Sequence, residues 1–341
     1  MSVAQYQEIL SNLKAGQYAP VYFLQGEETY FIDQIVDYIE EHAVEESMKG
    51  FNQVIVYGKD ADIPTIINHA KGFPMMSDRK VVIIKEAQEL AGFDKELGEK
   101  YFTNYLENPQ PSTILVFAYK YKSLDKRKKL SKLFVKHAVV MSSAKMYDNQ
   151  LPTWIEGYVK DKGKKIDQKA LFLITENIGN NLTRISNEID KMLINISGVD
   201  LITSDHVYKN IGISKEYNVF ELQKALSYRN VMKANEIIHY FKSDPKSNPL
   251  IPIIANIFAF YNKILLIHHS KNKSDQYLAS LLGVHPFFVK EYIMAAKNYP
   301  LSKVIDNIRY IKIADMKSKG IDYPPQSEGE IMKELVFTLL H

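Results

Sequence analysis

Apolar residues in the first 141 positions gather into five short runs: Val21 to Leu24, Val54 to Tyr57, Val81 to Ile84, Thr113 to Ala118 and Ala138 to Met141. Each is rich in β-branched or aromatic residues, and none alternates strictly with polar ones. That is the pattern of strands covered on both faces. Between the runs the spacing becomes helical. Phe31, Ile32, Ile35, Val36 and Ile39 make one amphipathic stripe, and Leu124, Leu130, Leu133 and Phe134 another. Alternation of this kind predicts a parallel, doubly wound sheet, so the first part of the chain is α/β.

After Met141 the strand pattern stops. Helical spacing covers 151–159, 168–177, 182–194 and 205–211, with Asp167 and Thr203 or Ser204 as N-caps and Gly179 as a C-cap. Seven further amphipathic segments follow from 219 onward, punctuated by Pro245, Pro249, Pro286, Pro300 and Pro324-Pro325. The expected organisation is an α/β domain over 1–143, a small helical domain over 144–213 and a larger helical domain over 214–341. The fold class is α/β plus all-α.

Charge sharpens this picture. The 43 Lys and Arg nearly balance 40 Asp and Glu, which excludes a uniformly cationic nucleic-acid binder. The balance is segregated, however. Residues 1–119 carry 9 basic and 18 acidic side chains, whereas 120–165 carry 13 and 4. The chain has no Cys, which removes disulfides, thiolate metal sites and Cys nucleophiles and suggests a cytoplasmic protein. The N-terminal MSVAQYQEILSNLKAGQ shows no secretory signal pattern. The longest apolar stretch, 250–267, is broken by Pro252, Asn256, Asn262 and Lys263 and reads as a buried helix, so no membrane is expected.

Few segments carry candidate chemistry. A phosphate loop after the first strand needs successive glycines, then Lys and Ser or Thr. Here Gln25-Gly26-Glu27-Glu28-Thr29 keeps one glycine and places two carboxylates where phosphate would lie. Lys85 stands where a strand-ending metal carboxylate would be. His268 and His269 are adjacent on a helix and point about 100° apart, a structural arrangement rather than a metal pair. Residues 278–293 have helix-turn-helix spacing, but the second helix offers Phe287, Phe288, Tyr292 and Ile293 with Lys290 as its cation, so hairpin packing is the better reading. Lys120 to Lys136 holds eight cations against Asp125 alone. It reads either as a solvated face above the Leu124 stripe or as a phosphate-tracking surface. In Gly72-Phe73-Pro74-Met75-Met76-Ser77-Asp78-Arg79, two methionines fall where a connection should be polar. From the residues alone, the favoured expectation is that both turn inward over the sheet edge. The alternative is an exposed plug for a partner's pocket, where two buried Met side chains would contribute roughly 3 to 6 kcal/mol.

Six segments together resemble the delta-subunit family of bacterial DNA polymerase III: Pro20 to Glu28, Phe73 to Ile84 (FPMMSDRKVVII), Asn181 to Lys191 (NLTRISNEIDK), Asn218 to Leu226 (NVFELQKAL), Leu282 to Val289 (LGVHPFFV) and Ile313 to Gly320 (IADMKSKG). The resemblance implies a degenerate AAA+ module, a RecA-like sheet domain with a helical lid, followed by a helical collar. It implies a clamp-loader subunit that binds the sliding clamp and opens the ring for loading onto primed DNA, without hydrolysing ATP. The implied partners are the beta clamp and the gamma/tau and delta-prime subunits in a hetero-pentamer, with no cofactor, no metal and no catalytic residue of its own. By the same resemblance the clamp-binding element falls on Phe73, Pro74, Met75 and Met76. DNA contacts are expected from Lys126, Arg127, Lys128 and Lys129, with Tyr323 as the aromatic that stacks at the primer end. Two other readings stay open: an ATP-driven motor with an atypical phosphate site, and a stand-alone DNA-binding module built on residues 279–294.

Overall fold

The computed structural model describes residues 2–196, 198–212, 214 and 216–341, and the chain divides between Tyr147 and Asp148 into two units. The first contains, in order, α1 (Ser2–Lys14), β1 (Val21–Gly26), α2 (Thr29–His42), the single turn α3 (Lys49–Asn52), β2 (Gln53–Tyr57), α4 (Ile63–Lys71), β3 (Lys80–Lys85), α5 (Glu96–Glu107), β4 (Thr113–Lys120), α6 (Lys129–His137) and β5 (Val139–Ser143). All five expected runs are strands. They form one parallel sheet in the order β2-β3-β4-β1-β5. β1, β3 and β4 lie inside it and are buried over nearly their whole length, as unbroken apolar sequence requires between two helical layers. β2 is an edge strand, paired with β3 alone.

Aromatic stacking fixes the helices to this sheet. Phe23 of β1 lies with its ring centroid 4.2 Å from that of Phe134 on α6, and Phe93, Phe117 and Tyr119 pack round the same ring at 5.6–6.2 Å. α6 is shorter than its sequence stripe implies. Leu124 is buried from a loop, because Asp125 accepts from the Arg127 amide at 2.9 Å and its own carbonyl accepts from the Lys128 amide at 3.0 Å, which closes a turn before the helix begins. The cations of 120–136 are therefore divided among the end of β4, a loop and a helix rather than set along one helical face.

The second unit is almost wholly helical: α7 (Leu151–Asp161), α8 (Gln168–Ile178), α9 (Leu182–Asn195), α10 (Ser204–Ile211), α11 (Val219–Ser227), α12 (Val231–Ser243), α13 (Leu250–His269), α14 (Asp275–Leu282), α15 (Pro286–Asn298), α16 (Leu301–Ser318) and α17 (Glu328–Leu340). Asp167 caps α8 and Gly179 ends it, as expected; Thr203 caps α10. The sequence shows no sign of a two-stranded parallel sheet, β6 (Lys165–Ile166) with β7 (Leu201–Ile202). Two residues per strand, half of them exposed, leave no period to read. The boundary expected at 213 falls outside the described residues. α8 meets later helices through the Lys169–Glu221 ion pair at 3.7 Å and through Phe172, whose ring packs on Phe220 and Phe288.

α13 is long and apolar enough to cross a membrane by length and composition. Its Ile253, Ile257, Phe260, Tyr261 and Ile264 are buried within the bundle, the position of a core helix. His268 faces the Tyr299 carbonyl at 2.8 Å and His269 the Leu265 carbonyl at 3.0 Å, so each histidine serves its own bundle.

Candidate functional site

Two loops at opposite ends of the parallel sheet bear on function. The first follows β1 at the carboxyl end, where open α/β sheets hold their ligands. Two of its backbone donors are already used. The Gly26 amide donates to the Lys122 carbonyl at 3.1 Å and the Glu28 amide to the Ser143 carbonyl at 3.3 Å. A phosphate cradle needs such N–H groups free. Glu28 then caps α2, accepting from the Tyr30 amide at 3.3 Å, so the helix N-terminus already faces a carboxylate. Burial raises the pKa of that carboxyl, and the Tyr30 amide opposes the rise. Gly26 is glycine for packing: with φ of +136°, a Cβ there would lie 1.9 Å from the Ser143 carbonyl oxygen.

Side chains close the rest of this end. Buried Gln25 accepts from the Leu124 amide at 2.8 Å and donates to Ser142 Oγ at 3.2 Å. Lys85, at the end of β3, pairs with Glu40 of α2 at 2.8 Å, and Lys120, at the end of β4, pairs with Asp33 at 2.5 Å. Burial works against the Lys85 charge, yet its hydrogen bond to Glu40 and the charges of Glu40 and Asp37 leave its pKa above the ordinary value. Among the described residues, no three His, Asp or Glu side chains converge on a point that could hold a metal ion.

The second loop joins α4 to β3 at the amino end of the sheet, and here the structure corrects the inward expectation for the methionines. Met75 is 60% exposed and Met76 91%, with Phe73 at 76%; Pro74 is half-buried. Large apolar side chains are left in water because the backbone is held so that they cannot turn in. At the α4 end, Tyr105 Oη donates to the Ala70 carbonyl and Thr113 Oγ1 to the Gly72 carbonyl, both at 3.3 Å. At the β3 end, Arg79 donates to the Gly16 carbonyl at 3.3 Å with its guanidinium 4.7 Å from the Tyr18 ring centre, and the Lys80 amide donates to Ser112. In the middle, the fully buried Asn52 accepts from the Met75 amide at 2.6 Å and donates to the Met75 carbonyl at 2.9 Å and the Met48 carbonyl at 3.1 Å. Met76 follows in the left-handed region with φ of +53°.

Asn52 is the residue that sequence reasoning missed. It lies 23 positions from Met75 and reads as an ordinary helix-ending asparagine, so nothing along the chain links the two.

The expected DNA contacts separate. Arg127 is paired with Asp125 at 2.7 Å and Lys128 with Asp94 at 2.5 Å. Lys126 and Lys129 are exposed and carry no ion pair among the described residues, as is true of Lys132 and Lys136 on α6. Tyr323 is half-buried with Lys317 Nζ 5.4 Å from its ring centre, in the other unit of the chain. The 279–294 hairpin buries Phe288, Val289 and Tyr292, leaving Phe287 and Lys290 outside, which is the packing expected of it.

Two family models match the chain: "DNA polymerase III, delta subunit" over residues 22–144 and "DNA polymerase III delta subunit, C-terminal domain" over 216–334. Together they span more than half of it. The DNA polymerase III subunit delta of Bacillus subtilis (strain 168) is 28% identical over 322 residues, covering 92% of this chain and 91% of the relative. A solved structure of the Bacillus subtilis DNA clamp loader delta protein is 26% identical, covers 98% of this chain and 99% of that one, and superposes with a TM-score of 0.58.

Gly26→Ala is expected to destabilise the chain by at least about 2 kcal/mol, from the strained backbone and the clash with Ser143 together. Denaturant unfolding that shows wild-type stability for this variant would contradict the packing role.

Proposed function

The chain belongs to the delta-subunit family of DNA polymerase III, and from that premise we propose that it binds a sliding clamp through Met75 and Met76 and helps open the ring. The observation that carries this reading is the exposure of two methionines on a loop braced at both ends and in the middle. Exposed large apolar side chains on a held backbone are the features of a docking anchor: the apolar area is available and little ordering remains to be done on binding. Thioethers fit irregular pockets. Phe73 adds exposed apolar area beside them, and Pro74 shapes the loop.

Ring opening needs an energy source, and this chain acts without hydrolysing ATP. The occupied amides of Gly26 and Glu28 and the Lys85–Glu40 pair support that reading. Partner ATPase subunits, with delta-prime, supply the nucleotide. Their ligand shifts the assembly toward the arrangement in which the methionine loop is available to the clamp. The proposed division of labour follows the three parts of the chain: residues 1–143 dock the clamp, 144–213 form the lid, and 214–341 join the subunits through collar helices. Tight binding of Mg-ATP by the isolated chain in titration calorimetry would favour the motor reading instead.

For primed DNA, Lys126 and Lys129 are, of the four expected contacts, the cations available to track phosphate, since Arg127 and Lys128 are engaged by carboxylates. Tyr323 remains the candidate for stacking at the primer end. Replacing Lys126 and Lys129 by Ala is expected to lower the salt dependence of DNA binding by the assembled loader, by about one unit of slope for each phosphate no longer neutralised. An unchanged slope would remove them from the DNA path.

Met75→Ala with Met76→Ala is expected to weaken clamp binding by about a hundredfold, on the order of 3 kcal/mol, while the thermal midpoint stays within a degree or two of wild type because both side chains are exposed. Undiminished clamp binding by the double variant in surface plasmon resonance would contradict the docking role.

A further inference from the structure

Resting on the clamp-docking reading, we propose that Asn52 is the positioning residue of the methionine element, holding Met75 and Met76 in their docking geometry before the clamp arrives. Its carboxamide has one acceptor and two donor hydrogens in use, and they divide by purpose. One donor closes α3 on the Met48 carbonyl, a local bond four residues back that any helix-ending asparagine could make. The acceptor and the other donor go to a single distant residue, the N–H and C=O of Met75. That two-way exchange imitates the hydrogen-bonded pair of an antiparallel ladder, a pattern that the parallel sheet beside it does not contain.

The parallel ladder itself ends one residue away. β2 pairs with β3 from Gln53 against Val81, so the backbone of residue 75 has no strand partner in that register. The Asn52 side chain supplies the backbone of Met75 with partners that the sheet does not. With Met75 held on both its polar groups, the chain turns through the left-handed Met76 and enters the Ser77–Arg79 segment, where Ser77 Oγ donates to the Arg79 carbonyl. The same clasp brings α3, with Phe51 69% exposed, beside the loop.

The positioning role has consequences that a purely structural asparagine lacks. Asn52→Ala is expected to weaken affinity for the sliding clamp of the same organism at least tenfold. That penalty should shrink in a Met75→Ala background, because the clasp then positions a side chain that no longer docks. Amide exchange at Met75 should quicken at least tenfold while the amides of β3 keep their protection. If Asn52→Ala does not fold, Asn52→Ser serves: it keeps a small polar group in the buried site but cannot hold the Met75 N–H and C=O together, and is expected to give a loss of the same kind. A folded variant that binds the clamp as tightly as wild type, or a penalty that persists in full without Met75, overturns the positioning role. Wild-type binding by the Met75→Ala/Met76→Ala chain overturns the docking reading itself, so the two failures are distinguishable.

Discussion

The exchange of hydrogen bonds between the Asn52 side chain and the backbone of Met75 is the interaction on which the exposed loop depends. A loop carrying Phe, Pro and two Met would lower its free energy by folding those side chains over the sheet, and what prevents this is the need to satisfy backbone polar groups. Each anchor of the loop satisfies a carbonyl or amide: Ala70 by Tyr105, Gly72 by Thr113, Met75 by Asn52, Lys80 by Ser112. Collapse of the methionines would require several of these to break. The apolar surface is thus held out in water by polar bonds beneath it.

The same requirement closes the other end of the sheet. Gly26 and Glu28 sit where a nucleotide-binding loop would turn free amides toward phosphate, but the carbonyls of Lys122 and Ser143 take those amides, and Glu28 supplies its own anion to α2. One parallel sheet presents two ends with opposite characters. At the carboxyl end the Gly26 and Glu28 amides are bonded internally; at the amino end the backbone of Met75 is bonded and apolar side chains are presented. This pairing supports the proposal of a subunit that docks a partner and leaves nucleotide to others.

The fold was largely legible in the sequence because its signals are local. Val81 to Ile84 and Thr113 to Ala118 are runs without polar alternation, and being buried on both faces is the simplest way to satisfy them. Asp167, Gly179 and Thr203 announce helix ends by side-chain chemistry that acts within a turn. One miss is a local turn and the others are nonlocal. Residues 120–128 carry a helix-like count of cations and leucine, yet Asp125 closes a turn on Arg127 and Lys128. β6 and β7 exist because Lys165–Ile166 finds Leu201–Ile202 some 35 residues on, and neither dipeptide has a strand pattern. For the site, the methionine pair was visible as an anomaly, but whether it turned in or out was decided by Asn52, 23 positions away. Charge alone likewise marked 126–129 as a unit. Only the positions of Asp94 and Asp125 divide it into paired and unpaired cations.

On the docking proposal, Met75 and Met76 stand in solvent in the free chain and become enclosed by the clamp. Methionine-methyl NMR of the full chain reads this directly, because buried Met141, Met192 and Met332 provide internal references. Adding the clamp is expected to shift or broaden the Met75 and Met76 signals selectively and to leave those three in place. Unchanged Met75 and Met76 signals in a clamp-bound chain would contradict the claim.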